Sequence, residues 1–130
     1  MAKILVLDDE PESLFLYDTI FSRDGYEVIC LSCPVLAIER LKTEKVDMVI
    51  SDYHMPQMNG IEFYNHIRKN KFHEGQFIFV TGSLETKQGI LRQEPGVTKV
   101  FEKPLSFVDL LKFLNKNIKP RVVGKRVGPK

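Results

Sequence analysis

Asp8, Asp9 and Glu10 stand together directly after a short apolar run, Asp52 closes a second run, Thr81 a third, and Lys103-Pro104 follows a fourth. Each has an ordinary explanation alone: Asp9 or Glu10 as a helix cap, Asp52 as a turn residue, Thr81 as another cap, Lys103 as a surface lysine. Together they are the groups that phosphoryl transfer asks for. Carboxylates crowded into one place repel one another unless a cation lies between them, and all-oxygen ligands with positions left for water suit Mg²⁺. An ammonium and a hydroxyl take up phosphoryl oxygens. A carboxylate is a competent nucleophile for forming an acyl phosphate, and the protein's remaining task is positioning and charge compensation.

Such a set works only if the chain brings these residues to one place, and the periodicity says how. KILVL (3–7) reads as a strand buried on both faces. A helix is expected over 11–23, through Leu16, Tyr17, Ile20 and Phe21, with Asp24-Gly25 as its stop. The pattern continues with strand 26–31, helix 34–43 opened by Pro34 with Ala37, Ile38 and Leu41 inward, strand 46–51, helix 59–69 through Ile61, Phe63, Tyr64 and Ile67, and strand 76–80. A weak helix 84–92 broken by Pro95-Gly96, strand 98–101 and helix 106–117, with Leu110, Leu111 and Leu114 facing the sheet, complete it. Five strands alternating with five helices predict one doubly wound α/β domain with a five-stranded parallel sheet. KILVL, VDMVI and QFIFV, the most apolar runs, are expected at its centre. In open sheets of this kind chemistry gathers beyond the carboxyl ends of the strands, which is where the acids, the hydroxyl and the lysine fall.

The combined pattern resembles the response-regulator receiver family over residues 2–117: Asp8-Asp9 after the first strand, Asp52-x-x-Met55-Pro56 with Asn59-Gly60 beyond it, Thr81 after the fourth and Lys103-Pro104 after the fifth. The resemblance implies a flavodoxin-like fold and a two-component or phosphorelay role, a signalling module rather than a turnover enzyme. Asp52 would accept the phosphoryl group from a phosphohistidine on a histidine kinase or histidine phosphotransfer protein. Asp9 and Asp52 would ligate Mg²⁺ directly with the backbone carbonyl of His54, and Asp8 would act at the metal's edge. Lys103 would pair with the carboxylate and then the phosphoryl group, on a loop whose bond to Pro104 is expected to be cis. Thr81 would swing its hydroxyl to the phosphoryl oxygen, and Ser83 and His54 resemble positions that tune acyl-phosphate lifetime. The aromatic residue the family commonly carries three positions before the lysine is Val100 here, with Phe101 beside it. A downstream effector or a second copy of the chain are the implied output partners.

The remaining features bound this reading. The chain has 130 residues, 43% hydrophobic and 28% charged, as a globular domain does. No apolar run reaches membrane-spanning length, and the start lacks a signal-peptide pattern, so a cytoplasmic place is expected. The net charge of +2 conceals a basic segment at 119–130 (Lys119, Arg121, Lys125, Arg126, Lys130), read as a tail or linker start after a domain at 1–118. Without it, 14 basic and 17 acidic side chains leave −3. Such a tail can meet nucleic acid, but a solvated terminus is the ordinary reading. Cys30 and Cys33 form a C-x-x-C with no second pair to complete a zinc site; a redox role is conceivable, yet Cys30 sits in a strand, and both are read as structural. His54, His66 and His73 lack ligand spacing and read as loop and surface residues. Leu14 and Phe15, off the expected core stripe of the first helix, are candidates for docking a histidine-bearing partner. Two rivals remain: a receiver-like module that signals by binding alone, and an Asp-nucleophile phosphatase of the haloacid-dehalogenase type, whose Asp-x-Asp pattern after the first strand Asp8-Asp9-Glu10-Pro11 does not supply.

Overall fold

Short β-branched and aromatic runs alternate with amphipathic segments in this chain, and in the computed structural model each run becomes a strand and each segment a helix. The structure describes residues 2–94 and 96–118. In order these hold β1 (Lys3–Leu7), α1 (Pro11–Arg23), β2 (Glu27–Leu31), α2 (Pro34–Thr43), β3 (Met48–Asp52), α3 (Gly60–Lys69), β4 (Gln76–Thr81), α4 (Leu84–Gln93), β5 (Lys99–Glu102) and α5 (Phe107–Asn117). The expected basic tail at 119–130 and Pro95 lie outside the described residues.

All strand pairs are parallel, in the order β2-β1-β3-β4-β5. The three most apolar runs are therefore central, as parallel strands covered on both faces require. β2 and β3 start one and two residues later than the hydrophobicity suggests. Tyr26 and Val46 pack against the core but precede the ladder, so apolar character overstates strand length there.

Alternation along the strands divides the core in two. Leu5, Leu7, Val49, Phe77, Phe79 and Val100 face α2, α3 and α4, meeting Ala37, Leu41, Phe63, Ile67 and Ile90. Ile4, Val6, Met48, Ile50, Ile78 and Val80 face α1 and α5, meeting Tyr17, Phe21, Leu110 and Leu114.

The helix ends follow local chemistry. Pro11 and Pro34 open α1 and α2, where the missing N–H costs nothing. Asn59 and Glu62 form a reciprocal capping box on α3, while Ser83 and Ser106 cap α4 and α5. Gly25, with φ 95°, turns the chain after α1.

Three expectations need correction. Leu16, assigned to the core stripe of α1, is 46% exposed. Leu14, assigned to the surface, is half-buried against the α1–α5 side of the core. The stripe runs through Leu14, Tyr17 and Phe21, because α1 is turned toward the ring of Phe107. His73, read as a surface histidine, is 4% exposed, and its Nε2 donates to the Gln76 carbonyl at 2.8 Å. Burial, aided by the charge of Arg68, holds its pKa below the ordinary histidine value, although that hydrogen bond opposes the shift.

α3 ends in a Schellman turn. The N–H of Phe72 reaches the Ile67 carbonyl at 2.9 Å and that of Lys71 the Arg68 carbonyl at 3.1 Å. The residue between helix and exit, Lys71, takes φ 59°, a left-handed conformation that favours glycine. Lys71→Gly is expected to raise the unfolding free energy by about 0.5–1 kcal/mol, measured by urea titration followed by circular dichroism. An unchanged or lower stability would show that the lysine side chain packs well enough to offset its backbone strain.

Candidate functional site

Parallel pairing places every strand's carboxyl end on one edge, and the polar residues collect there. Asp8 follows β1, Asp52 ends β3, Thr81 ends β4, and Lys103 follows β5. One carboxylate oxygen from each of Asp8, Asp9 and Asp52 lies within 4.8 Å of the others. Lys103 Nζ reaches Asp52 Oδ2 at 3.1 Å.

The burial of these groups sets their electrostatics. Asp52 is 6% exposed and Asp8 2%, whereas Asp9 is exposed. Burial, followed by the charge of Asp52, pushes the Asp8 carboxyl up to about 6, although a hydrogen bond from the Glu10 N–H (2.9 Å to Oδ1) works the other way. That same bond uses Asp8 to satisfy the N–H at the start of α1, whereas Glu10, at the cap position, makes no side-chain capping bond. Burial works against the Lys103 ammonium, but the hydrogen bond and charge of Asp52, with Asp8 and Glu10 beyond, outweigh it and hold its pKa above the ordinary lysine value. Three carboxylates with one lysine leave uncompensated negative charge. A hard divalent cation with oxygen ligands fits that donor set.

Backbone contacts hold the frame. The Lys103 N–H donates to the Thr81 carbonyl at 2.9 Å and the Tyr53 N–H to Val80 at 3.0 Å. The peptide Lys103–Pro104 is cis. Gly60, the first residue of α3, lets the helix start against β3: a Cβ there would lie 2.6 Å from Phe79 Cε1 and 3.0 Å from the Asp52 carbonyl oxygen. Of the anticipated residues, His54 stays outside the side-chain cluster, on an exposed stretch with its ring beside Tyr53. Thr81 is fully buried, and its hydroxyl accepts from the Ser83 N–H at 3.2 Å. Ser83 in turn accepts from the Thr86 N–H. Val100 is buried on the α2–α4 side, while Phe101 packs on the other side against Phe113.

One part of the site was not evident from sequence. A cavity of about 260 Å³ opens beside Asp8 and Lys103, walled by Leu16, Tyr17, Leu105 and Phe107. Its only sequence signal was the apolar Pro104-Leu105 after the lysine. The cysteines take no part: Cys30 is half-buried in β2 with its thiol pushed up to about 11, chiefly by burial, and Cys33, at the start of α2, lies beside Gln57. Both are free.

Comparison with known proteins agrees with this geometry. The sequence pattern described as "Response regulator receiver domain" matches residues 4–115. The alkaline phosphatase synthesis transcriptional regulatory protein PhoP of Bacillus subtilis is 33% identical over 104 residues, covering 80% of this chain and 43% of that protein. The chain spans about half the length of the curated relatives it matches or less. Among solved structures, a response regulator receiver domain protein from Clostridium thermocellum superposes with a TM-score of 0.77 at 31% identity, covering 91% of this chain and 94% of that one. The response regulator TrrA from Thermotoga maritima, solved in complex with Mg(2+)-BeF, superposes with a TM-score of 0.80 at 26% identity, covering 91% and 100%.

The raised pKa of Asp8 has a sign that can be checked. The unfolded carboxyl loses its proton near 3.8 and the folded one near 6, so the unfolded chain gives up the proton first and stability falls as pH rises through that window. At pH 7 without divalent cations the buried charge is a cost. Asp8→Asn is expected to raise stability in EDTA by on the order of 1–2 kcal/mol and to diminish any stabilisation that added Mg²⁺ produces. Thermal unfolding in EDTA and in Mg²⁺ reads both. A less stable Asn variant in EDTA would mean that the carboxylate's hydrogen bonding outweighs its desolvation.

Proposed function

This chain belongs to the response regulator receiver family, and from that premise we propose that Asp52 is its phosphoacceptor, taking the group from the phosphohistidine of a histidine kinase or phosphotransfer protein. The observation that carries the proposal is the Lys103–Asp52 pair set among the carboxylates of Asp8 and Asp9 at the carboxyl edge of the sheet.

In the proposed reaction a carboxylate oxygen of Asp52 attacks phosphorus, the P–N bond breaks, and its electron pair leaves with the imidazole. Lys103 starts on the carboxylate and passes to a phosphoryl oxygen as the acyl phosphate forms. Asp8, Asp9 and Asp52, with the backbone carbonyl of His54, would hold Mg²⁺, which when bound offsets charge on the phosphoryl oxygens. Thr81 gives up its contact with the Ser83 N–H to donate its hydroxyl to the phosphoryl group. That exchange would loosen the start of α4, whose cap is Ser83, and shift the α4 surface between two pre-existing states. Val100 leaves no ring to rotate, so the coupling would run through packing of Phe79 and Val100. The receiver unit would be 1–118, placed in the cytoplasm, with 119–130 as a basic tail or linker start.

Receiver domains of this family interact with histidine kinases and effectors. On this chain the docking face for the phosphodonor would be the exposed Phe15 (69%) and Leu16, continuous with the cavity walled by Leu105 and Phe107. Leu14, being half-buried, is not part of it.

Intact-mass spectrometry after incubation with Mg²⁺ and acetyl phosphate should show one phosphoryl adduct that EDTA abolishes and that Asp52→Ala lacks. An unmodified chain with its fold intact would favour the rival reading, a module that signals by binding alone. With a phosphohistidine protein as donor, Phe15→Ala should slow transfer about tenfold, roughly 1.4 kcal/mol, while its rate with acetyl phosphate stays that of the natural chain. Equal slowing with both donors would place Phe15 in folding rather than docking.

A further inference from the structure

We propose that a cavity at the opposite, amino-terminal edge of the sheet binds a small oxyanion of the phosphate class, with Lys45 and Lys71 as its charged partners. The cavity, about 210 Å³, lies between the α2–β3 loop (Lys45, Val46) and the α3–β4 loop (Lys71 to Gly75). It belongs to neither the acid cluster nor the docking face: these loops enter β3 and β4, whereas Asp52 and Thr81 end them, and a five-residue strand separates its ends by about 13 Å.

The placement of Lys71 is the first support. It occupies the left-handed position of the Schellman turn, φ 59°, where glycine would fit without strain. The lysine is held at the cavity at a cost to the fold. Lys45 lines the same cavity from the other loop. The neighbouring cations are engaged: Lys42 with Glu39 at 2.8 Å and over the Phe72 ring, Arg40 with Glu44 at 2.8 Å. Among the described residues neither Lys45 nor Lys71 has an ion-pair partner.

The walls are built and polar. Arg68 donates to the carbonyls of His73 (3.0 Å) and Gly96 (3.3 Å), and the buried His73 ring donates to Gln76, so the α3–β4 loop is fixed from both sides. Gly75 passes so close that a Cβ would lie 3.0 Å from His73 Cε1 and 3.1 Å from the Asp47 carbonyl oxygen. The backbone N–H groups of Lys45, Val46, Glu74 and Gly75 have no hydrogen-bond partner among the described residues, and such donors beside lysines favour an anion. Glu74 also lines the cavity; its carboxylate repels an oxyanion and so weakens binding.

The test uses the full chain in EDTA, where the acid cluster repels anions, with inorganic phosphate as probe and sodium chloride at matched ionic strength as control. Calorimetric titration should show saturable binding, weakened about tenfold or more by Lys45→Ala and by Lys71→Gly, and tightened by Glu74→Gln. Because Lys71→Gly is expected to stabilise the fold, a loss of binding there is not a loss of structure. Binding that all three variants leave unchanged, or heat that chloride reproduces, would overturn the proposal.

Discussion

A carboxylate that is almost wholly buried must be offset, because the cost of removing a charge from water without a partner is several kcal/mol. Asp52 is in that position, and Lys103 answers it at 3.1 Å. Much of the architecture can be understood as what that pair demands. Asp52 and Lys103 come from strands separated by β4, so the order β3-β4-β5 must hold for them to meet. The lysine's own N–H is fixed on the Thr81 carbonyl of the intervening strand. Asp8 is delivered from the other side by β1, and its cost, visible in its raised pKa, is not met by the lysine alone. The site is thus stabilised at one point and under electrostatic stress at the next, a stress that a positively charged partner would relieve.

The sequence displayed the strands because each central one is apolar on both faces, and it displayed the acids because an acid ending an apolar run is rare enough to notice. Details that depend on a neighbour's position were hidden. Which of Leu14 and Leu16 faces inward depends on how α1 rotates around Phe107, and both choices satisfy a 3.6-residue period. The burial of His73 depends on a carbonyl three residues on and on Arg68 from the preceding helix, neither of which leaves a mark in hydropathy. The cavity beside Lys103 is made by α1 and the β5–α5 loop together, and single-chain periodicity describes neither gap nor groove.

Val100 and Phe101 illustrate the same limit. Adjacent in sequence, they lie on opposite sides of the sheet. The valine packs in the core that Phe79 shares, and the phenylalanine packs on Phe113 of α5. An aromatic residue one place along is therefore no substitute for one at position 100: strand alternation sends it to a different set of helices.

That alternation also makes the sheet a partition. Asp8 and Lys103 border the compartment of α1 and α5, whereas Thr81 follows Phe79 in the register of the compartment of α2, α3 and α4. Two surfaces of one small domain thus share a charge centre yet have almost no side chains in common. Substitutions on one can proceed with little penalty on the other, so the two faces of this scaffold are free to change as separate surfaces.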